Sequence, residues 1–305
     1  MATITAKMVG DLRAKTGAGM MDCKKALGEA GGDMEQAIDL LRKKGLSAAA
    51  KKSGRVAAEG MIAAAAGTGK SGALVEVNSE TDFVAKNDLF QAFATGVADV
   101  VLKQNPSDVE ALKVLDFPGS GRNVGDELVH QIATIGENMN VRRFARLESN
   151  SGVTASYIHG AGKIGVLVQL DSDKAADPKV AEMARFLAMH VAAANPQYLS
   201  RNDVPAEVVE REKNIMRAKA LESGKPENIV DKIIEGQVNK FFGETCLLEQ
   251  VYVIDTDQKI AKVVESLAKE IGGKVTLAAY ARFQLGEGIE KKEDDFATEV
   301  ASMTK

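Results

Sequence analysis

The stretch Gly67-Thr-Gly-Lys-Ser-Gly-Ala-Leu-Val-Glu-Val-Asn-Ser79 returns as Gly160-Ala-Gly-Lys-Ile-Gly-Val-Leu-Val-Gln-Leu-Asp-Ser172, 93 positions later. Similarity at a fixed offset marks a duplicated structural unit. Each copy reads as a strand, a Gly-rich turn, a second strand and then a helix. The first helix carries Leu89, Phe90, Phe93, Val97, Val100 and Val101, and the second carries Val180, Met183, Phe186, Leu187, His190 and Val191. The ends of the copies match too. Ile135-Gly136 leads through Val141 to Phe144-Ala-Arg-Leu147, and Ile271-Gly272 leads through Leu277 to Tyr280-Ala-Arg-Phe283, 136 positions on. Each closing strand follows a helix, near 125–137 and 258–271. The body is therefore expected to be α+β: two β-β-α-α-β units with antiparallel hairpins and helices packed over the sheets.

The growth of the offset from 93 to 136 leaves about 43 extra residues in the middle of the second copy, within 195–245. There Val208, Val209, Ile215 and Met216 begin a helix, and Ser223-Gly-Lys-Pro226 turns the chain. Ile229, Val230, Ile233, Ile234, Val238, Phe241 and Phe242 then recur at threes and fours, as in an antiparallel, coiled-coil-like hairpin. The stripe reads as wider than one partner helix needs. It marks an interaction arm or a dimerisation element, with a homodimer through the arm favoured.

Residues 1–45 read as three short helices. Thr5 caps the first and Gly17 stops it. The second runs from about Asp22 to Gly31-Gly32 with Cys23, Ala26, Leu27 and Ala30 on one face. The third opens with Asp33 and Gln36 at capping-box spacing and is expected to end at Gly45. Lys43, Lys44, Lys51, Lys52 and Arg55 then read as a solvated basic linker. Met20 and Met21 fall in the turn before the second helix, where polar residues are expected. They are either a hydrophobic staple or an apolar contact offered to a partner.

The 305 residues are 45% hydrophobic and 27% charged, an ordinary globular balance, and no apolar run is long enough to span a membrane. The net charge of −4 gives no support for nucleic acid as the main partner. Cys23 and Cys246 stand far apart, which suits a reducing cytoplasm. His130, His159 and His190 lack metal-ligand spacing, and no metal or cofactor is expected. Ala64-x-x-x-x-Gly69-Lys70-Ser71 imitates a phosphate-binding loop, but a strand follows it where that motif needs a helix. Its counterpart, with Gly162, Lys163 and Ile164, lacks the hydroxyl. The segment reads as a hairpin turn, direct nucleotide binding is not expected, and no catalytic constellation points to an enzyme.

The copies part after the second strand. The first continues Glu80-Thr-Asp-Phe-Val-Ala-Lys-Asn-Asp88, whereas the second, at the same offset, gives Asp173-Lys-Ala-Ala-Asp177, with Ala176 in the place of Phe83. Phe83 either tucks under its own loop or is presented outward as an interface anchor.

Thr81-Asp-Phe-Val-Ala-Lys-Asn87 resembles the signature loop of the elongation factor Ts family, and Thr16-Gly-Ala-Gly-Met-Met-Asp-Cys-Lys-Lys-Ala26 resembles its N-terminal signature. The resemblance covers essentially the whole chain, through Ile135-Gly-Glu-Asn138, Ser156-Tyr-Ile-His-Gly160, Ile164-Gly-Val-Leu-Val168 and Gly286-Glu-Gly-Ile-Glu-Lys291. It departs in a longer polar stretch around Asn105–Asn123, which bears on the local shape of the first copy.

The resemblance implies an N-terminal three-helix, ubiquitin-associated-like domain (1–55), a core of two subdomains (56–148, and 149–194 with 246–286), a coiled-coil arm (195–245) and a C-terminal module (287–305). Phe296, Val300 and Met303 would give that module an apolar stripe. It also implies a guanine nucleotide exchange factor in protein synthesis, acting on GDP-bound elongation factor Tu. The loop matching Thr81, Asp82, Phe83 and Val84 would enter near the partner's Mg²⁺ site and dislocate the ion. Arg13, Met20 and Met21 would grip a helix of the same domain, and Ile135, Gly136 and His159 would make weaker contacts. The competing reading is a helical-arm scaffold or chaperone without exchange activity.

Overall fold

The first helix starts where the sequence places its cap: the Thr5 hydroxyl accepts a hydrogen bond from the Met8 amide, α1 runs Ala6–Thr16, and Gly17 ends it at φ 66°. The computed structural model describes residues 3–66, 69–223 and 227–290, with side chains of the last stretch from Ile229 onward. Helix α2 spans Met20–Glu29, and α3 spans Met34–Lys52 behind an Asp33 cap that accepts from the Gln36 amide at 2.9 Å. Val9, Leu12, Cys23, Ala26, Leu27 and Ala37 form a small core of their own.

Three expectations are corrected here. Met20 and Met21 open α2 instead of lying in the turn before it, and both are exposed, so neither is a buried staple. Gly45 does not end α3. It is buried in mid-helix, where a Cβ would stand 3.6 Å from Ala133 and 3.7 Å from Val129. An interior glycine costs roughly 1 kcal/mol in a helix, and close packing against a second helix offsets this. The expected linker is mostly helix too, since α3 continues through Lys52 and Lys44 pairs with Glu29 at 3.1 Å.

The first repeat follows. β1 (Glu59–Ala66) and β2 (Ser71–Ser79) pair antiparallel, so a strand does follow Gly69-Lys70. Then come α4 (Asp82–Ala85), α5 (Asp88–Gln104), α6 (Val109–Lys113), α7 (Val124–Ile135) and β3 (Met139–Glu148), which returns to β2. The stretch Asn105–Asn123 is a folded flap on the first core: Leu112 is fully buried and the Phe117 ring stacks on Phe93 at 5.6 Å.

The second repeat has β4 (Gly152–His159), β5 (Ile164–Ser172), α8 (Pro178–Ala194), α9 (Ala206–Glu222), α10 (Glu227–Thr245), α11 (Ile260–Glu270) and β6 (Val275–Gln284). The sheets have the orders β1-β2-β3 and β4-β5-β6, all antiparallel, so the chain is α+β.

The duplication extends to irregularities. Register shifts occur at Glu76/Val77 and at Gln169/Leu170, positions that match at the 93-residue offset. Opposite each lies a glycine, Gly60 or Gly152, whose Cβ would fall onto the carbonyl of Val77 or Leu170. The sheets also meet reciprocally. A Cβ on Gly72 would stand 2.9 Å from Leu167, and one on Gly165 would stand 3.1 Å from Leu74. The Ile62 amide donates to the Gly162 carbonyl and the Thr154 amide to the Gly69 carbonyl, both at 2.8 Å. Two hairpins from one ancestral pattern thus pack as a self-complementary pair, as identical subunits do across a twofold axis.

The arm leaves after Asn195 and is closed at its base: the Gln197 and Tyr198 amides donate to the Thr245 carbonyl, and the Leu247 amide to that of Tyr198. Its stripe is narrower than expected. Val230, Ile234 and Phe242 are buried, the first two in a cluster with Ala220 of α9, while Ile233 and Phe241 are half-buried. The facing helix therefore covers most of the stripe, leaving Ile215, Leu221 and Ile229 exposed. Among the described residues no helix is long and apolar enough to cross a membrane. Cys23 and Cys246 are buried free thiols. Phe296, Val300 and Met303 lie outside the described residues.

Candidate partner-binding site

The loop that separates the copies begins at the end of β2, where the Ser79 hydroxyl donates to the Thr81 carbonyl at 3.0 Å. It ends at Asn87, whose side chain accepts the Leu89 amide and caps α5. In the second repeat Asp177 caps α8 in the same way. Between strand and cap the first repeat has residues 80–86 and the second has 173–176, so the first loop is longer by three residues. This corrects the pairing of Phe83 with Ala176. Counted from the helix cap, Ala176 matches Lys86 and Lys174 matches Val84. Glu80 and Asp173 match at the strand end, because each accepts the amide that leads into the closing strand, which leaves Thr81, Asp82 and Phe83 as the surplus.

In and beside the surplus the side chains divide. Val84 is buried in the first core, so it anchors the loop and is not itself offered to a partner, as the sequence reading had it. Phe83 is 78% exposed, which removes the reading in which it tucks under its loop. Burying a Phe contributes roughly 2 kcal/mol, and the free chain forgoes this. Lys86 lies 2.8 Å from the Asp82 carboxylate and 5.8 Å above the Phe83 ring. The Lys86 hydrogen bond and charge hold the Asp82 carboxyl below the usual range, with a smaller pull from Lys163.

Two other segments flank this loop. Ile135 and Gly136 end α7, with Gly136 at φ 94°. Directly after them, the Glu137 carboxylate accepts the Thr81 amide at 3.0 Å and the Thr81 hydroxyl at 2.7 Å. His159 ends β4, exposed, with Nδ1 at 3.0 Å from the Tyr157 hydroxyl. The turn that follows it carries Lys163, whose charge acts weakly on Asp82.

The head approaches through the same helix. His130, on α7, meets the Thr16 carbonyl at the end of α1. Nearby Arg42 pairs with Asp126 at 2.6 Å. Glu127 lies beneath: burial pushes its carboxyl up, but hydrogen bonds from His130, Gln131 and Arg122 outweigh this and bring it down to about 2. So α7 carries the head at His130 and the surplus loop at its C-terminal end. Arg13, Met20 and Met21 are exposed on the head, Met21 at 75%.

The sequence reading missed Glu137, although it lies within a quoted motif, because only the fold brings it to Thr81. Its one legible signal was that the matching position in the second copy is Gly273. Of the three histidines, His190 is buried and accepts from the Val253 amide, a structural role. Among the described residues no cluster of potential metal ligands occurs.

The family model described as Elongation factor TS matches residues 80–287. Proteins named Elongation factor Ts from Syntrophotalea carbinolica, Magnetococcus marinus and Trichlorobacter lovleyi are 66%, 56% and 56% identical to the chain. The alignments cover 99%, 99% and 98% of this chain and the same shares of those proteins. The chain belongs to the elongation factor Ts family of translation elongation factors.

Proposed function

We propose that the chain is a guanine nucleotide exchange factor that binds GDP-bound elongation factor Tu and releases its GDP by disturbing the Mg²⁺ and phosphate site. The supporting observation is the exposed Phe83, held on a three-residue surplus that the sister repeat lacks. In this reading Asp82 and Phe83 enter the partner, Arg13, Met20 and Met21 grip it from the head, and Ile135, Gly136 and His159 add weaker contacts. The units are the head (1–55), two core subdomains (56–148, and 149–194 with 246–286), the arm (195–245) and the C-terminal module (287–305). The chain works by binding in the cytoplasm and catalyses no chemical step itself.

The physics needs no catalytic residue. GDP is held largely through Mg²⁺-bridged phosphates, so displacing the ion leaves charge that the site must carry unaided. Accelerating release ~10⁴-fold requires roughly 5.5 kcal/mol of barrier reduction. One Phe supplies about 2 kcal/mol of that, so the head and second subdomain must contribute the rest. Coupling is reciprocal: a factor that weakens GDP binding is itself weakened by GDP.

Labelled GDP release from elongation factor Tu tests this. The wild-type chain is expected to accelerate release, and Phe83→Ala to slow the stimulated rate about tenfold with no loss of stability, equivalent to about 1.4 kcal/mol. Normal stimulation by the folded variant would reject the wedge.

A further inference from the structure

The second repeat is an internal control for the first, and it isolates a contact that the fold does not need. Both repeats tie the end of β2 or β5 to the start of the closing strand with a carboxylate: Glu80 accepts the Asn138 amide, and Asp173 accepts the Lys274 amide at 2.7 Å. That bond belongs to the scaffold. The Glu137–Thr81 pair does not, because its counterpart is Gly273, where a Cβ would come within 2.6 Å of Asp173 and 2.5 Å of Lys174. The longer loop of the first repeat makes room for a side chain there.

We propose that Glu137 is a positioning residue whose two carboxylate oxygens clamp Thr81 and so aim Phe83 outward. The proposal rests on the reading of this loop as the exchange element. α4 is a single turn, too short to hold itself. Thr81 is its N-cap residue, yet its hydroxyl makes no capping bond and donates to Glu137 instead. With Thr81 clamped and Val84 buried, Asp82 and Phe83 are held between two fixed points. The ordering entropy of the loop is then already spent when the partner arrives, which is the advantage of preorganisation.

The test combines hydrogen exchange at the Thr81 amide with stimulated GDP release for Glu137→Ala, Glu137→Gln, Thr81→Val and the double variant Glu137→Ala/Phe83→Ala. Glu137→Ala should expose the Thr81 amide to exchange, leave the melting temperature unchanged and slow release about fivefold, as expected for lost preorganisation. Glu137→Gln keeps an acceptor for the hydroxyl and should fall between wild type and Glu137→Ala. Thr81→Val, which leaves Glu137 in place, should also slow release. In the double variant Glu137→Ala should add nothing to Phe83→Ala, because a clamp has no role once the ring it aims is gone. Multiplying effects would overturn the proposal, as would an exposed Thr81 amide with full stimulation. Full stimulation by Phe83→Ala alone would instead reject the exchange-loop reading, and the positioning role with it.

Discussion

The two repeats keep the same pattern of strands, bulges and glycines in their sheets and differ most where the chain leaves them. Each carries a bulge, a glycine opposite the bulge, and a glycine that receives a leucine from the other sheet. Each long helix ends at a left-handed asparagine, Asn105 or Asn195. Beyond these, the first repeat adds a three-residue loop with an exposed Phe, and the second adds the helical arm. The shared features pack and satisfy backbone groups, whereas the added ones place apolar side chains in water. The lesson is that duplication separates what a β-β-α-α-β unit requires from what it displays.

The largest effects should come from the shared glycines. Gly60→Ala and Gly152→Ala each drive a Cβ into a backbone carbonyl, so each should cost about 3 kcal/mol or more in denaturant unfolding. A large cost at one and none at the other would break the symmetry.

Next comes a place where equivalent positions differ. Glu76, 0% exposed, accepts Arg142 at 3.1 Å, Arg143 at 2.6 Å and the Gly286 amide at 2.8 Å. Its counterpart Gln169 is half-buried and donates to Asp171. Glu76→Ala removes the buried acceptor shared by Arg142, Arg143 and the Gly286 amide, although both arginines keep contacts with Glu287. It should cost about 2 kcal/mol, whereas Gln169→Ala should cost under ~1 kcal/mol. Burial pushes the Glu76 carboxyl up, but the Gly286, Arg143 and Asn78 hydrogen bonds outweigh it and hold the group below the usual range. Its contribution is therefore fully present above the ordinary carboxylate pKa and lost as pH falls through the lower folded value. Glu76→Gln should flatten the acid limb of the melting profile, and an unchanged limb would remove Glu76 from acid unfolding.

The smallest effect should attend the arm. Replacing residues 205–244 by a short linker leaves the base contacts at Tyr198 and Thr245 and should change neither core melting nor, by more than about twofold, stimulated release. Light scattering should count one chain per particle before and after, since α9 covers most of the stripe. Two chains before and one after would make the arm a dimerisation element.

How far the sequence could be read follows from where each feature is encoded. Strands, hairpin turns and closing helices were legible because the repeat states each of them twice. The arm was legible as a break in the offset. The continuation of α3 past Gly45 was not, because the reason for that glycine lies in Ala133 and Val129, far along the chain. Phe83 was singled out by its type, but its exposure and the extra loop length needed the helix caps at Asn87 and Asp177. The Glu137 clamp joins residues 56 positions apart and has no local signature.

In the proposed mechanism the surplus loop is indispensable for exchange, and the shared fold without it is not sufficient. The direct measurement is labelled GDP release from elongation factor Tu with a variant in which residues 80–86 are replaced by the sister loop, residues 173–176. The account predicts a folded protein with near wild-type melting and stimulation reduced at least tenfold, about 1.4 kcal/mol or more. A folded loop-exchange variant that releases GDP as fast as wild type would contradict it.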